Sequence, residues 1–152
     1  MQAIKQNNTF CIIGGYKMKG ITASMNKGIN IGAMVNAADN SGARIVRVVS
    51  VIRGKGTKRR QMKAGVADMV KVSVRKGLPE MRKHVFPAIV IRQKKEYRRL
   101  TGERISFADN AVVLLKDEKI LQNPKGTQIK GPVAREVKER WSEVARMASI
   151  IV

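Results

Sequence analysis

The chain has 152 residues, enough for one domain with an ordinary core, and its 31 Lys and Arg against 11 Asp and Glu give a formal charge of +20. That excess predicts a polyanionic partner and favours nucleic acid over a membrane surface, because no stretch shows the amphipathic pattern of an interfacial helix. No apolar run is long enough to span a bilayer, and Phe10–Gly15 is too short for a secretory signal, so we expect a cytoplasmic protein.

Residues 1–17 differ from the rest of the chain. They lack the strand alternation found downstream, and Met18-Lys19-Gly20-Ile21 reads like a natural beginning. We therefore predict a loosely attached N-terminal extension over residues 1–17, and an upstream start site chosen in error is the open alternative.

The first predicted strands of the main domain flank a strong turn. Gly32–Ala37 is followed by Asp39-Asn40-Ser41-Gly42, residue types that tolerate turn conformations and hydrogen-bond their own backbone. Arg44–Arg53 is rich in β-branched residues and short, which favours a strand over a helix. Its apolar residues are dense enough that we expect both faces of this strand to be largely covered.

Further strands predict a small barrel. Asp68–Arg75 alternates cleanly and places Val70, Val72 and Val74 on one inward face. The remaining runs of strand length are Ala88–Arg92, Ala111–Leu115 and Thr127–Ile129. We predict a mainly β fold, with a five-stranded barrel over residues 18–131, because closure removes the edges that a short open sheet would expose.

The period becomes helical at the C-terminal end. Pro132 suits the first turn of a helix, and apolar residues then recur at helical spacing from Val133 through Trp141 to Ala148. We predict a C-terminal helical lobe over residues 132–152, made of one or two helices. Trp141 is expected to anchor this lobe on the barrel, with stacking on RNA as the alternative.

The densest basic segment is the loop between the second and third strands. It contains six positive charges and no negative one, together with glycines that let the backbone approach phosphates. An RNA contact accounts for this concentration of charge better than a merely solvated loop does. The candidate RNA-binding residues are Arg53, Lys55, Lys58, Arg59, Arg60 and Lys63.

A second basic cluster runs out of the strand that ends at Arg92. Tyr97 lies among its cations and would either stack on an unpaired base or pack its ring on the barrel with only the hydroxyl in water. The sequence leaves both roles open. The candidate RNA-binding residues here are Arg92, Lys94, Lys95, Tyr97, Arg98 and Arg99. A weaker third patch around Pro79 contains Lys76, Arg82, Lys83 and His84.

The sequence shows no catalytic or metal-binding constellation. His84 has no obvious partner and is interpreted as a surface or half-buried polar residue. Asp39, Asp68 and Asp109 each fall at a predicted turn or strand start, where a carboxylate ordinarily accepts backbone N–H bonds. Cys11 is the single cysteine, so it forms neither an intramolecular disulfide nor a zinc-ligand set. We therefore predict no enzymatic activity, no metal or other cofactor and no small-molecule substrate.

Four motifs occur in order along the chain. They are Ala38-Asp39-Asn40-Ser41-Gly42-Ala43, then Ala64-Gly65-Val66-Ala67-Asp68, then Phe107-Ala108-Asp109-Asn110-Ala111-Val112-Val113-Leu114, then Gly126-Thr127 with Lys130-Gly131-Pro132-Val133. At this spacing and with this charge, the chain from Gly20 onward strongly resembles the universal ribosomal protein fourteen family of the large subunit. The segment Ala134–Ser149 looks like the archaeal and eukaryotic branch of that family. The resemblance departs at Thr101, where the family commonly has an acidic residue or Asn, and residues 1–17 have no counterpart.

The resemblance implies a barrel with a C-terminal helical lobe that binds large-subunit ribosomal RNA. It further implies a place at the subunit interface, contact with small-subunit RNA at an inter-subunit bridge, and large-subunit protein three as a neighbour. The C-terminal region is similar to the surface used by the anti-association initiation factor six. Carried onto the matching positions, the RNA contacts are Asn40, Ser41, Gly42 and Arg44 at the first turn, the Lys55–Arg60 loop, and Arg92–Arg99.

These observations predict a structural constituent of the large ribosomal subunit, located in the ribosome, that presents basic loops to folded RNA during translation. Phosphate contacts would set the position of the protein, and RNA shape would matter more than base reading. Composition alone also permits a free-standing nucleic-acid-binding barrel or RNA chaperone, against which the four motifs argue.

Overall fold

The computed structural model describes residues 10–13, 16–19, 25–52, 54, 61–99, 101–116 and 123–152, the first two ranges by their backbone alone. The strands are β1 (Phe10–Ile13), β2 (Tyr16–Lys19), β3 (Ile29–Asn30), β4 (Met34–Ala37), β5 (Ala43–Val51), β6 (Lys63–Ala64), β7 (Met69–Gly77), β8 (Val85–Arg92), β9 (Tyr97–Arg98), β10 (Arg104–Ile105), β11 (Ala111–Leu114), β12 (Ile129–Val133) and β13 (Ala148–Ile151). The helices are α1 (Arg135–Arg140) and α2 (Ser142–Arg146), and a 3-10 turn spans Pro79–Met81.

Five of these strands close a barrel in the order β11-β4-β5-β7-β8. Neighbouring strands pair antiparallel, except β11 and β4, which run parallel. Because the first and last strands pair with each other, the barrel itself has no free edge. The predicted mainly β fold with a five-stranded barrel is confirmed.

The alternation in β7 has the predicted consequence. Val70, Val72 and Val74 are buried in the barrel core, whereas Lys71 and Ser73 between them are only partly buried. This is the pattern of a strand with one face in the core and one toward its surroundings.

β8 and β11 are buried on both faces. Val90 and Val112 belong to the core inside the barrel, whereas Ile89 and Val113 belong to a second core outside it. The second core also contains Val137 of α1, so the C-terminal lobe covers these two strands. This double burial explains why both strands appear in the sequence as continuous apolar runs.

β5 differs from the prediction. Arg44, Arg47 and Val49 are exposed, and Val49 keeps 46% of its surface accessible. The expectation that both faces of this strand are largely covered is therefore wrong. The second core draws on β8 and β11 and includes no residue of β5, whose outer side stays open to solvent.

The C-terminal lobe begins and ends differently from the predicted pattern. Pro132 lies in β12 and not in a helix, and α1 begins only at Arg135. The predicted helices are present, but Trp141 interrupts the helical run with a φ of −132°. The last element is a strand, β13, which pairs parallel with β12, Ile151 lying opposite Val133. A helical period does not reveal that its final residues have a strand partner elsewhere in the chain.

The predicted N-terminal extension overlaps a hairpin. β1 and β2 pair antiparallel, with Ile13 opposite Tyr16. The rest of residues 1–17 lies outside the described part of the chain. The division into residues 1–17, 18–131 and 132–152 stays a prediction.

Candidate nucleic-acid interface

The densest basic segment lies largely outside the described residues. The candidates concerned are Arg53, Lys55, Lys58, Arg59 and Arg60. Lys63, the last candidate of this segment, is exposed in β6 and lies opposite Asn30 of β3. The RNA contact assigned to the segment stays a prediction.

Arg92 is turned inward, although it opens the second basic cluster. Its Nε donates to Asp109 Oδ1 at 2.6 Å, and its Nη1 donates to the carbonyl oxygens of Lys130 and Pro132 at 3.0 and 2.9 Å. The hydrogen bonds from Arg92 lower the pKa of the Asp109 carboxyl, so this carboxyl is ionised at neutral pH. Arg92 thus ties β8 to β12 and is buried, so it is not part of the exposed cationic surface.

Tyr97 and Arg99 are also buried and hydrogen-bonded within the protein. Tyr97 is only 1% exposed, and its hydroxyl donates to Glu136 Oε2 at 3.0 Å. Arg99 is buried and donates from Nε to Glu136 Oε1 at 2.6 Å and from Nη2 to the Val152 carbonyl at 2.7 Å. The Tyr97 ring is not available to stack on a base, and its hydroxyl is not in water. Both residues position the C-terminal lobe.

The exposed cations of the second cluster are Lys94, Lys95 and Arg98. Gln93, which is fully buried, orders the turn that carries them: its Nε2 donates to the carbonyl oxygens of Asn26 and Lys95 at 2.8 and 2.9 Å. Gln93 could not be identified from the sequence, because a glutamine at the start of a basic run gives no sign that it is buried. In the structure, this cluster therefore contains an exposed group of cations and a buried group made of Arg92, Tyr97 and Arg99.

The first turn is held by the chain segment that precedes β12. Asn40 Nδ2 donates to Thr127 Oγ1 at 2.9 Å, and Asn40 Oδ1 accepts the Thr127 N–H at 2.7 Å. A Cβ added at Gly126 would lie 2.7 Å from Asn40 Oδ1, so the two segments approach closely. Gly42 has a φ of +93°, the left-handed region that favours glycine. In this turn, Asn40 and Gly42 shape the backbone.

Arg44, at the end of the same turn, joins a cationic groove. The antiparallel pairing of β5 with β7 sets Ala43 opposite Gly77, which brings the first turn beside the loop that follows β7. A groove of about 670 Å³ opens there, and its cations are Arg44, Lys76, Arg82 and Lys130. The structure thus combines the first turn with the third patch. No local pattern in the sequence connects them or marks Lys130 as a candidate RNA contact, since only the tertiary structure places these residues together.

The carboxylates support the structure. Asp39 Oδ2 accepts the Leu114 N–H at 3.4 Å, and burial raises the pKa of the Asp39 carboxyl. Asp68 Oδ2 accepts the Gly65 N–H at 3.0 Å and pairs with Lys27 Nζ at 2.9 Å. These backbone contacts are the ordinary role predicted for both residues. Within the residues that the structure describes, no group of three or more His, Cys, Asp or Glu side chains is placed to hold a metal ion.

Trp141 anchors the C-terminal lobe on the barrel, as predicted. Its Nε1 donates to the Ala67 carbonyl oxygen at 2.9 Å, and its ring packs on the second core. Arg140 donates to the same carbonyl at 3.1 Å and lies over the Trp141 ring at 5.5 Å. No helix among the described residues has the length and apolar character needed to cross a membrane.

The fold and surface define a small, strongly basic β-barrel protein in which Asp39, Asp68, Asp109 and Glu136 have structural contacts. The family model described as ribosomal protein L14p/L23e matches residues 28–152. Large ribosomal subunit protein uL14 of Nanoarchaeum equitans is 54% identical over 135 residues, which cover 89% of this chain and all of that protein. The proteins of the same name from Methanothrix thermoacetophila and Methanocella arvoryzae are 53% and 50% identical with the same coverage. The chain belongs to the ribosomal protein L14p/L23e family.

Family membership settles several predictions. The resemblance drawn from the four motifs is confirmed, and these relatives are of the archaeal type, as the C-terminal segment indicated. The chain is a structural protein of the ribosome and not an enzyme, in a family whose relatives named above are proteins of the large subunit. Its cytoplasmic location, in the ribosome, follows from that membership.

Proposed function

We propose that this protein binds the RNA of the large ribosomal subunit through exposed cations of its barrel surface. The observation that carries the proposal is the groove in which Arg44, Lys76, Arg82 and Lys130 gather. Within the described part of the chain, none of these four side chains has an ion-pair or hydrogen-bond partner, in contrast to buried Arg92 and Arg99. Four cations without a protein partner at one place suit a phosphate backbone.

A second part of the proposed surface is the turn ordered by Gln93. Lys94, Lys95 and Arg98 are exposed on or beside it, so their charges are free to approach phosphates. Phosphate contacts of this kind fix the position and orientation of the protein on the RNA, and they depend little on the nucleotide sequence. Each contact releases a condensed counterion, so binding should weaken steeply with salt, by roughly 10³–10⁵ between low and moderately high salt for about 6–10 contacts.

We also propose the partners that the family resemblance implies. These are small-subunit RNA at an inter-subunit bridge, large-subunit protein three and the anti-association initiation factor six. The supporting observation is that the C-terminal lobe presents a firmly held surface. Trp141 and Glu136 fasten it to the barrel, while Ile150 and Ile151 of β13 are exposed and available to a protein neighbour.

Sucrose-gradient sedimentation of native lysate at moderate and high salt tests the proposal, with fractions probed for this chain. We expect it to sediment with the large subunit and with whole ribosomes at moderate salt and to be released at high salt. The double variant Lys94→Gln/Lys95→Gln should leave the subunit at lower salt than the wild type. The control Lys138→Gln/Arg146→Gln, with both changes in the C-terminal lobe, should behave like the wild type.

The opposite outcome is equally informative. A chain that stays in the free fractions at moderate salt would contradict the proposal and point to a free-standing nucleic-acid-binding barrel or RNA chaperone. A chain that sediments with the large subunit but is insensitive to Lys94→Gln/Lys95→Gln would remove this turn from the interface.

A further inference from the structure

The cationic groove has an apolar floor as well as charge. Its lining includes Ala43, Leu78 and Pro79 in addition to Arg44, Lys76, Arg82 and Lys130. Leu78 is 56% exposed, so its side chain is accessible to a molecule that enters the groove. The volume of about 670 Å³ lies within the range of roughly 300–1,000 Å³ typical of small-ligand sites. A surface that only attracts phosphates needs neither the apolar floor nor the concavity.

The floor is rigidly built. The Leu78 N–H donates to the Gly42 carbonyl oxygen at 3.0 Å, and the Leu78 side chain lies directly over Gly42, where an added Cβ would be 2.5 Å from Leu78 Cδ1. A Cβ at Gly77 would lie 2.6 Å from the same carbonyl oxygen. Two glycines therefore let the turn and the loop meet without a gap, and the hydrogen bond to Gly42 holds the Leu78 backbone in place. Such preorganisation lowers the entropic cost of binding.

We propose that this groove receives a single unpaired nucleotide of the RNA, with its phosphates on the four cations and its ribose or base against Leu78 and Pro79. The inference rests on the proposed RNA-binding function and adds the kind of RNA element that is bound. An unpaired nucleotide brings an anionic group and an apolar face into the groove as one unit. A regular duplex keeps its bases stacked inside and offers only phosphates and sugars, so it would leave the floor uncovered.

An acidic protein segment is the competing occupant, and the lining disfavours it. Its carboxylates would meet the four cations as phosphates do, but they would leave the apolar floor uncovered. Leu78 and Pro79 would then have no apolar partner unless the segment added one. Arg44 and Arg82 carry planar guanidinium groups, on which unstacked bases readily stack.

The test compares large subunits from cells whose only copy is wild type, Leu78→Ala or Lys76→Gln/Arg82→Gln. Acylation of ribose 2′-hydroxyls reports which nucleotides are held. We expect both variants to raise the reactivity of the same one or few unpaired nucleotides, because a nucleotide that is no longer held in the groove samples more conformations. Leu78→Ala keeps every charge of the groove. If the same nucleotides respond to Leu78→Ala and to Lys76→Gln/Arg82→Gln, they contact the apolar floor as well as the cations. The control Lys138→Gln removes an exposed cation of α1 and should change none of these nucleotides.

Several outcomes would overturn the inference. One is an unchanged profile in variant subunits that contain the chain in normal amount, or changes confined to base-paired nucleotides. Another is a carbodiimide cross-link from Lys76 or Lys130 to an acidic residue of a neighbouring protein, which would assign the groove to a protein segment. If the variants fail to assemble, ultraviolet irradiation of wild-type subunits decides: a nucleotide adduct on the tryptic peptide Gly77–Arg82 is expected, and its absence contradicts the inference. A wild-type chain that is missing from large subunits would instead contradict the proposed function itself.

Discussion

Arg99 and Glu136 form a nearly buried ion pair, with 2.6 Å between Arg99 Nε and Glu136 Oε1, that joins the segment after β9 to α1. Arg99 also donates to the Val152 carbonyl oxygen, and the Tyr97 hydroxyl donates to the second oxygen of Glu136. This network fastens two parts of the C-terminal lobe, its first helix and the residue after its last strand, to β9 and the residue that follows it.

Replacing Arg99 should destabilise the protein strongly. Arg99→Met leaves Glu136 buried without its cation, which costs about 3–5 kcal/mol of the free energy of unfolding. Urea denaturation followed by circular dichroism measures this loss. Arg104→Met is the matched control, because the Arg104–Glu96 pair has side chains 73% and 53% exposed and contributes at most about 1 kcal/mol. Equal losses in the two variants would show that the buried network does not hold the lobe.

Tyr97 should make stability fall at high pH. Burial first, and then the charge of Glu136, raise the pKa of Tyr97 to about 12. In the unfolded chain the phenol ionises near pH 10, so the folded state holds this proton more tightly. The resulting stability is fully present below about pH 10 and is lost as the pH rises toward 12. The free energy of unfolding measured from pH 8 upward should therefore decline more steeply in the wild type than in Tyr97→Phe. Parallel curves would contradict this assignment.

Gly77 should tolerate no side chain, because it is both strained and crowded. Its φ is +155°, and an added Cβ would lie 2.6 Å from the Gly42 carbonyl oxygen and 2.9 Å from Ala43 Cα. We expect Gly77→Ala to lose about 1–3 kcal/mol from overpacking in addition to backbone strain. Gly102 also has a positive φ but has no atom within 4 Å of an added Cβ. Gly102→Ala should therefore cost only the conformational part, about 1–2 kcal/mol. Thermal unfolding of both variants separates crowding from strain.

Two leucines should respond very differently to the same substitution. Leu114 is fully buried in the barrel core, so Leu114→Ala should reduce the free energy of unfolding by about 2–5 kcal/mol. Leu78 lies exposed in the groove, and Leu78→Ala should change stability by about 0.5 kcal/mol or less. Denaturant unfolding measures both. A large loss of stability in Leu78→Ala would mean that Leu78 supports the fold. The RNA probing experiment would then have to rely on Lys76→Gln/Arg82→Gln instead of Leu78→Ala.

The barrel could be predicted because its signals are local. A strand with one face in a core must alternate with a period of two, and Val70, Val72 and Val74 record that period directly. The two uninterrupted apolar runs at Ala88–Arg92 and Ala111–Leu115 were identified as strands from their length alone. The excess of cations followed from composition, and the family followed from four motifs in order.

The second basic cluster could not be divided from the sequence. Arg92, Arg99 and exposed Arg98 are the same residue type within eight positions of each other, and nothing local tells them apart. Arg92 is buried because it pairs with Asp109, 17 residues away along the chain, and Arg99 is buried because it pairs with Glu136, 37 residues away. The same holds for Tyr97: its ring is packed in the second core, as one of the two open alternatives had it, but its hydroxyl donates to Glu136 and is not in water.

The sequence by itself determined the class of fold, the sign of the charge and the membership of the family. Periodicity, composition and motif order can all be read along the chain without knowing which residues meet in space. Only the tertiary structure decided which cations are buried in ion pairs and hydrogen bonds and which are exposed on the surface. The groove shows the reason: Arg44, Lys76 and Lys130 come from three separate segments, and the β5–β7 register that sets Ala43 opposite Gly77 brings the first two together. Register is fixed by packing across the whole barrel, so no local pattern contains it.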